Sequence, residues 1–188
     1  MDVLGTVVRL QLQTGHLKPR PSGSGHYDPA PLREVEWLEL SPAGCIGPQG
    51  QLDLHHGDHP ETRNVRGVNG VSLLPSAHYD RMRARYGGHV VDGVAGENVL
   101  LSTDRPWTEQ DLQGELLLEV DGGALTMTDP MAAPPCVEFS RWCLRRDDLE
   151  LDDEVRATLD ALDHGTRGFY LRPTGSGILR PGARLLRA

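Results

Sequence analysis

Short alternating runs of apolar and polar residues, broken often by Gly and Pro, make up most of the chain, and only two stretches carry a helical period. Residues 1–13 alternate as a strand through Val3, Val7, Leu10 and Leu12, with Gly5 a candidate bulge. Residues 14–34 read as an irregular loop, because Gly and Pro between Gly15 and Pro31 break both periods. Residues 35–40 alternate as the next strand. A second irregular stretch, 41–70, is rich in Gly, His and Asp, and such long stretches are more often functional or mobile than neutral. Residues 71–74 are a short apolar run, after which Pro75-Ser76 opens a helix. Tyr79, Met82 and Tyr86 fall at helical spacing, and Gly87-Gly88 stops it. Strands follow at 98–102, 114–120 and 124–128, the last two joined as a hairpin through Asp121-Gly122-Gly123. In the second helix Leu151, Val155, Leu159 and Leu162 make one apolar face, acids crowd the first turn, and Gly165 follows the end. Strands at 169–171 and 183–186 close the chain, and no internal repeat occurs.

Composition sharpens this picture. The 22 Gly and 14 Pro favour many turns and short strands, so the predicted class is mainly β (α+β), a barrel or a sandwich. A length of 188 residues fits one domain with a core that needs no disulfide staples. The net charge of −8 opposes nucleic acid and anionic membrane surfaces, and no arginine-rich run with interleaved aromatics counters it. No apolar run approaches the roughly 20 residues of a membrane span. The first residues lack a basic leader and cleavage site, and three irregularly spaced cysteines do not form a secreted disulfide framework. A cytoplasmic protein with reduced thiols is expected.

Three constellations carry candidate chemistry. Gly93-Val94-Ala95-Gly96-Glu97-Asn98 precedes a strand, and its glycines permit positive φ and close approach of a ligand. On spacing alone, a tight turn capped by its Asn is the preferred reading. Pro134-Pro135-Cys136 mounts a thiol on a stiff backbone. A reactive thiol also needs positive charge or a metal; Arg141 is near in sequence, while burial is the usual fate of a lone cysteine. Cys45 and Cys143 take that fate, since no pair has metal-ligand spacing. His55-His56-Gly57-Asp58-His59 is the densest group of metal-type side chains, with His26 and Asp53 as further candidates. Adjacent side chains on an extended segment diverge, so a solvated loop is preferred. G-x-S-x-G, P-loop and H-E-x-x-H motifs are absent.

In order, these segments resemble the MOSC domain, the C-terminal domain type of molybdenum-cofactor sulfurases. The family's G-x-x-G-E-N turn is matched by Gly93, Gly96, Glu97 and Asn98, and its Pro-Cys pair by Pro135 and Cys136. Its aromatic G-[WF]-Y strand and Gly turn are matched by Gly168-Phe169-Tyr170 and Pro181-Gly182, and the Tyr-Gly helix end by Tyr86-Gly87. The motifs are clearest in 70–188. Upstream, Lys18-Pro19-Arg20 supplies the basic residue near Pro. Leu52-Asp53-Leu54-His55 stands for Gly-Asp-x-His with Leu in place of Gly, a departure that bears on the pocket floor and on Asp53 and His55 as pocket residues.

The resemblance implies a single MOSC domain over 1–188, a mostly β barrel with flanking helices. It also implies a pocket for molybdenum–molybdopterin whose metal takes the Cys136 thiolate. Lys18, Arg20, Arg63 and Arg66 are then expected phosphate partners, and Gly93, Gly96, Glu97 and Asn98 contacts of pterin or phosphate, with Asn98 orienting the edge. The implied activity is reduction of small N-hydroxylated compounds, with electrons from a separate donor protein because no flavin or iron–sulfur motif is visible. Pyridoxal phosphate is not expected. The alternatives are a carrier of persulfide sulfur or of the cofactor, and a scaffold without cofactor.

Overall fold

The computed structural model describes residues 1–19 and 25–188. In chain order the elements are β1 (Asp2–Gln13), β2 (Leu32–Glu34), β3 (Leu38–Ser41), β4 (Gly44–Ile46), β5 (Val71–Pro75), α1 (Ser76–Tyr86) and β6 (Val99–Ser102). A 3-10 turn (Glu109–Leu112) leads to β7 (Leu116–Val120), β8 (Gly123–Ala132), α2 (Val137–Cys143), α3 (Asp153–Leu162), β9 (Phe169–Pro173), β10 (Gly177–Leu179) and β11 (Arg184–Arg187).

Seven strands close a barrel in the order β11-β7-β8-β9-β5-β6-β1, with β1 pairing back to β11. Closure removes the exposed edges that so many short strands would otherwise leave. Every pair is antiparallel except β5–β6, whose parallel register is reached through the crossover that holds α1 and the Gly93–Asn98 turn. The long β1 bends around the barrel at register shifts between Val3 and Gly5 and between Val7 and Arg9, the first where the sequence marks a bulge.

Alternation along the strands sorts side chains into two cores. Val71, Leu73, Phe169 and Leu171 point into the barrel with Val7, Leu10, Leu12 and Leu185. Leu74 and Leu100 point outward and pack with Tyr79, Met82, Phe139 and Leu162, where the helices cover the wall. Gly168, directly before β9, has φ +101°, and an added Cβ would lie 2.6 Å from the Leu73 carbonyl oxygen. Gly168→Ala is therefore expected to cost about 2 kcal/mol through a left-handed backbone and a backbone clash. A thermal melt should show a fall of about 4–8 °C.

Three expectations need correction. The strand expected at 35–40 starts only at Leu38, as β3 paired with β10 in a second sheet; β2, in the stretch expected to be loop, pairs with β1, and the chain changes sheet at Val35–Trp37. α2 went unread, since seven residues hold too few turns to display a period. Leu151 lies outside α3 and is 44% exposed; Asp152 caps the helix by accepting from the Val155 amide at 3.0 Å, and Thr158 joins Val155 and Leu162 on the buried face.

Candidate functional site

A cleft of about 350 Å³ lies against the outer wall of the barrel. Ser72 and Tyr170, a cross-strand pair facing away from the barrel core, form part of it. Gln13 at the end of β1, the Ala95–Glu97 turn and the Ala133–Cys136 segment complete the walls with His16, Leu17, Lys18, Tyr27, His55, Arg63 and Arg167.

Cys136 holds extended backbone (φ −134°, ψ 149°) as the residue before α2, and its carbonyl accepts from the Ser140 amide and hydroxyl, both at 3.0 Å. The two prolines before it limit the backbone further. Its Sγ lies 3.2 Å from Arg167 Nη1. Arg167 also donates to the Ala95 and Pro134 carbonyls at 3.4 Å and stacks over Phe139 at 4.9 Å, so three hydrogen bonds and one ring hold its fork in place. Burial opposes the guanidinium charge, yet Cys136, Tyr27 and Tyr170 hold Arg167 above its ordinary range. Burial likewise works against Glu138, but its own amide, Lys18 at 3.6 Å and the Cys136 thiol keep its carboxyl below the usual range. The thiol therefore sits in an alternating row of cation, sulfur, carboxylate and cation. The other thiols are buried: desolvation pushes Cys143 up to about 12 against the pull of Arg167, and Cys45 well above the ordinary value.

The Gly93–Asn98 turn divides its work. Gly93 (φ +90°) accepts from Gln11 Nε2 at 2.7 Å through its carbonyl and has no room for a Cβ, which would meet Gln11 Oε1 at 2.6 Å. It braces the barrel side and does not line the cleft. Gly96 (φ +89°) does line it. Asn98 is buried and fully engaged: Oδ1 accepts from the Ser72 amide and hydroxyl at 3.0 and 2.9 Å, and Nδ2 donates to Asp53 Oδ2 at 2.9 Å. Asp53, with no exposed surface, also accepts from the Gln13 amide at 2.7 Å and the His55 amide at 2.8 Å. Asp53 and Asn98 thus lock the layer beneath the cleft.

Glu97 is 4% exposed. Its Oε2 accepts from the Tyr79 hydroxyl at 2.8 Å, while Oε1 has no hydrogen-bond partner among the described residues. Desolvation pushes this carboxyl up to about 7, against the pull of its own amide and Tyr79.

The family model for the MOSC domain matches residues 53–185. The chain belongs to the MOSC family. No curated protein matches it in sequence. Among solved structures, the YuaD protein from Bacillus subtilis aligns with a TM-score of 0.58 at 14% identity, over 97% of this chain and 92% of that one. YiiM from Escherichia coli aligns at 0.50 and 16% identity, over 81% of this chain and 63% of that one. At these identities the likeness is one of fold, and it agrees with the MOSC-type barrel and flanking helices.

Within the MOSC frame, Cys136, Lys18, Arg63, His55, Gly96 and Glu97 meet at one cleft. Arg66 is exposed and does not line it. Arg20 lies outside the described residues. Arg141 is turned away, donating to the Leu149 and Glu150 carbonyls, so the cation at the thiol is Arg167 instead. The histidine run forms no metal cage: among the described residues no three metal-type side chains converge. His16, which accepts from Arg63 Nε at 3.3 Å, and Tyr27, which donates to the Val94 carbonyl at 2.6 Å, also escaped the sequence reading. Arg167 carried a faint signal, an arginine directly before the Gly168-Phe169-Tyr170 strand, but its 31-residue separation from Cys136 hid the pairing.

Proposed function

We propose that this MOSC chain binds molybdenum–molybdopterin with Cys136 as the protein ligand to the metal, and reduces small N-hydroxylated compounds with electrons from a separate donor protein. The observation that carries the reading is the Cys136 thiol at the cleft with the Arg167 guanidinium 3.2 Å from its sulfur. A soft thiolate suits a metal already held by dithiolene sulfurs, and the Arg167 guanidinium fixes the direction of the sulfur at the cleft. When bound, the cofactor supplies the two-electron chemistry that removes oxygen from an N–O bond.

The protein's residues fit that group on three further counts. Lys18, Arg63 and Arg167 outnumber the two acids of the cleft, Glu97 and Glu138, within a chain of net charge −8, which suits an anionic, phosphate-bearing molecule. The volume of about 350 Å³ falls in the range of small-molecule sites. Glu97 brings a buried, unpartnered oxygen to the wall. Lys18 and Arg63 hold the phosphate, Arg167 orients the Cys136 sulfur, and Asp53 with Asn98 keeps the layer below rigid. No helix among the described residues is long and apolar enough to cross a membrane.

The deciding experiment is molybdenum per chain in protein purified without oxygen from a host that makes the cofactor. Near-stoichiometric metal is expected in the wild type, falling at least about tenfold in Cys136→Ala, as loss of a metal's own ligand should exceed the loss of a supporting contact. Hydroxylamine reduction with a supplied reductant should fall in parallel. Metal retained by Cys136→Ala would sink the ligand assignment. No metal in either protein, with an extra sulfur on Cys136 by intact mass, would favour a persulfide carrier, because the same Arg167 contact serves any anionic sulfur. Neither metal nor extra sulfur would leave a scaffold without cofactor.

A further inference from the structure

Among the described residues, the neighbouring side chains that could donate to Glu97 Oε1 are engaged elsewhere, and its own amide and Tyr79 leave Oε1 without a partner. Tyr79, from α1, gives its only hydroxyl proton to Oε2 at 2.8 Å, and its oxygen is held by the Ala95 amide at 2.9 Å. Tyr27, from the 25–31 segment, spends its proton on the Val94 carbonyl at 2.6 Å. Arg9, on β1, attracts the carboxylate but is tied to Glu34 at 2.7 Å and to Gln11 at 3.3 Å, while Asp92 repels it. Arg167 is occupied by Cys136 and the Ala95 and Pro134 carbonyls. Oε1 is buried, and Glu97 lines the cleft. A buried polar atom left over in this way calls for a partner.

We propose that Glu97 reads an N–H donor of the cleft's ligand through Oε1 and gives up its own proton as that ligand binds. The inference rests on the cofactor reading and names the part of the molecule concerned: the N–H edge of a 2-amino-4-oxo pterin ring. With Oε2 accepting from Tyr79, a protonated Glu97 carries its hydrogen on Oε1 and turns it toward such an edge, whereas the ionised carboxyl accepts from the edge through Oε1. Desolvation places the carboxyl's titration at about 7, so near neutral pH both forms are populated. Binding of an N–H donor selects the ionised form and must release the proton. A ligand presenting an oxygen acceptor would do the reverse and take a proton up.

The test uses 6-hydroxymethylpterin, a fluorescent pterin without metal or phosphate, on the full chain. Binding should tighten roughly eightfold from pH 6.0 to 7.5, the change in the ionised fraction of a group titrating at about 7. Calorimetry at pH 6.0 in two buffers of different ionisation heat should show close to one proton released per pterin. Glu97→Gln should bind with neither the pH dependence nor the release; His16 and His55 also line the cleft, and this comparison isolates the share of Glu97. In the unmutated chain, infrared difference spectra should show a protonated carboxyl stretch at pH 6.0 that disappears on adding pterin. Flat pH dependence, proton uptake or an unchanged stretch would overturn the proposal. Stoichiometric molybdenum with pH-independent pterin binding would remove the Glu97 role alone. Absence of both metal and pterin binding would remove the cofactor reading with it.

Discussion

Asp53→Ala is expected to lower the melting temperature by about 8–16 °C, although Asp53 touches no solvent and sits one layer beneath the cleft. Its carboxylate accepts from the Gln13 amide, the Asn98 side-chain amide and the His55 amide, at 2.7, 2.9 and 2.8 Å. His55 Nδ1 lies a further 3.2 Å away. Truncation strands three buried donors from three parts of the chain, and the total cost is about 4 kcal/mol. The loss goes beyond stability, because the same three bonds fix the end of β1, the His55 loop and the start of β6 relative to one another. Pterin binding to Asp53→Ala at a temperature where it remains folded should therefore weaken as well. A thermal melt within about 2 °C of wild type would mean that other contacts satisfy these donors.

This network also explains the one departure from the family pattern. Leu52 stands where the resemblance expects Gly, and it makes an isolated bridge with Ile46 that anchors the loop to β4. Asp53 still reaches Gln13 and Asn98 across 40 and 45 residues. The motif's carboxylate is thus kept in place by a strand-like contact. Val65, farther along the same loop, is 87% exposed.

What was legible in the sequence was what a local period or a turn residue encodes. β1, α1 and the β7–β8 hairpin follow from alternation, helical spacing and Gly122 at φ +80°. The sheet change at Val35–Trp37 was not legible, since the alternation of the residues runs on while the pairing partner changes from β1 to β10. The ordered motifs pointed to the cleft, and Cys136, Gly96 and Glu97 do line it. Side-chain destinations were beyond reach. Arg141 and Arg167 both lie near the motif residues, but only the fold determines that one caps carbonyls and the other meets the thiol. The resemblance implies that Asn98 orients a ligand edge, yet its amide is consumed by Ser72 and Asp53. The burial of Glu97 at 4% exposure has no local signal either, because it is set by Tyr79 from α1 and by the packing around the turn.

Burial of Glu97 carries a stability cost that should be visible without any ligand. Glu97→Gln is expected to stabilise the protein at pH 8 by about 3 kcal/mol, and to leave it unchanged within error at pH 4. The reason lies in proton linkage. The folded carboxyl titrates at about 7 against an ordinary 4.5, so between those values the folded chain binds the proton that the unfolded chain has released. Stability is then fully present below about 4.5, declines as pH rises, and is lost once pH passes about 7. The interval corresponds to about 3 kcal/mol. Gln keeps the carbonyl that accepts from Tyr79 and can never ionise, so it retains the acid-side stability at every pH. Melts of the two proteins should diverge by about 6–12 °C at pH 8 and converge at pH 4. Equal divergence at both pH values would assign the gain to packing, and no gain at pH 8 would mean that a partner already satisfies Oε1 in the free protein. A gain confined to alkaline pH, joined to the loss of proton-linked pterin binding, would identify Glu97 as a residue that costs the fold stability in return for recognition at the cleft.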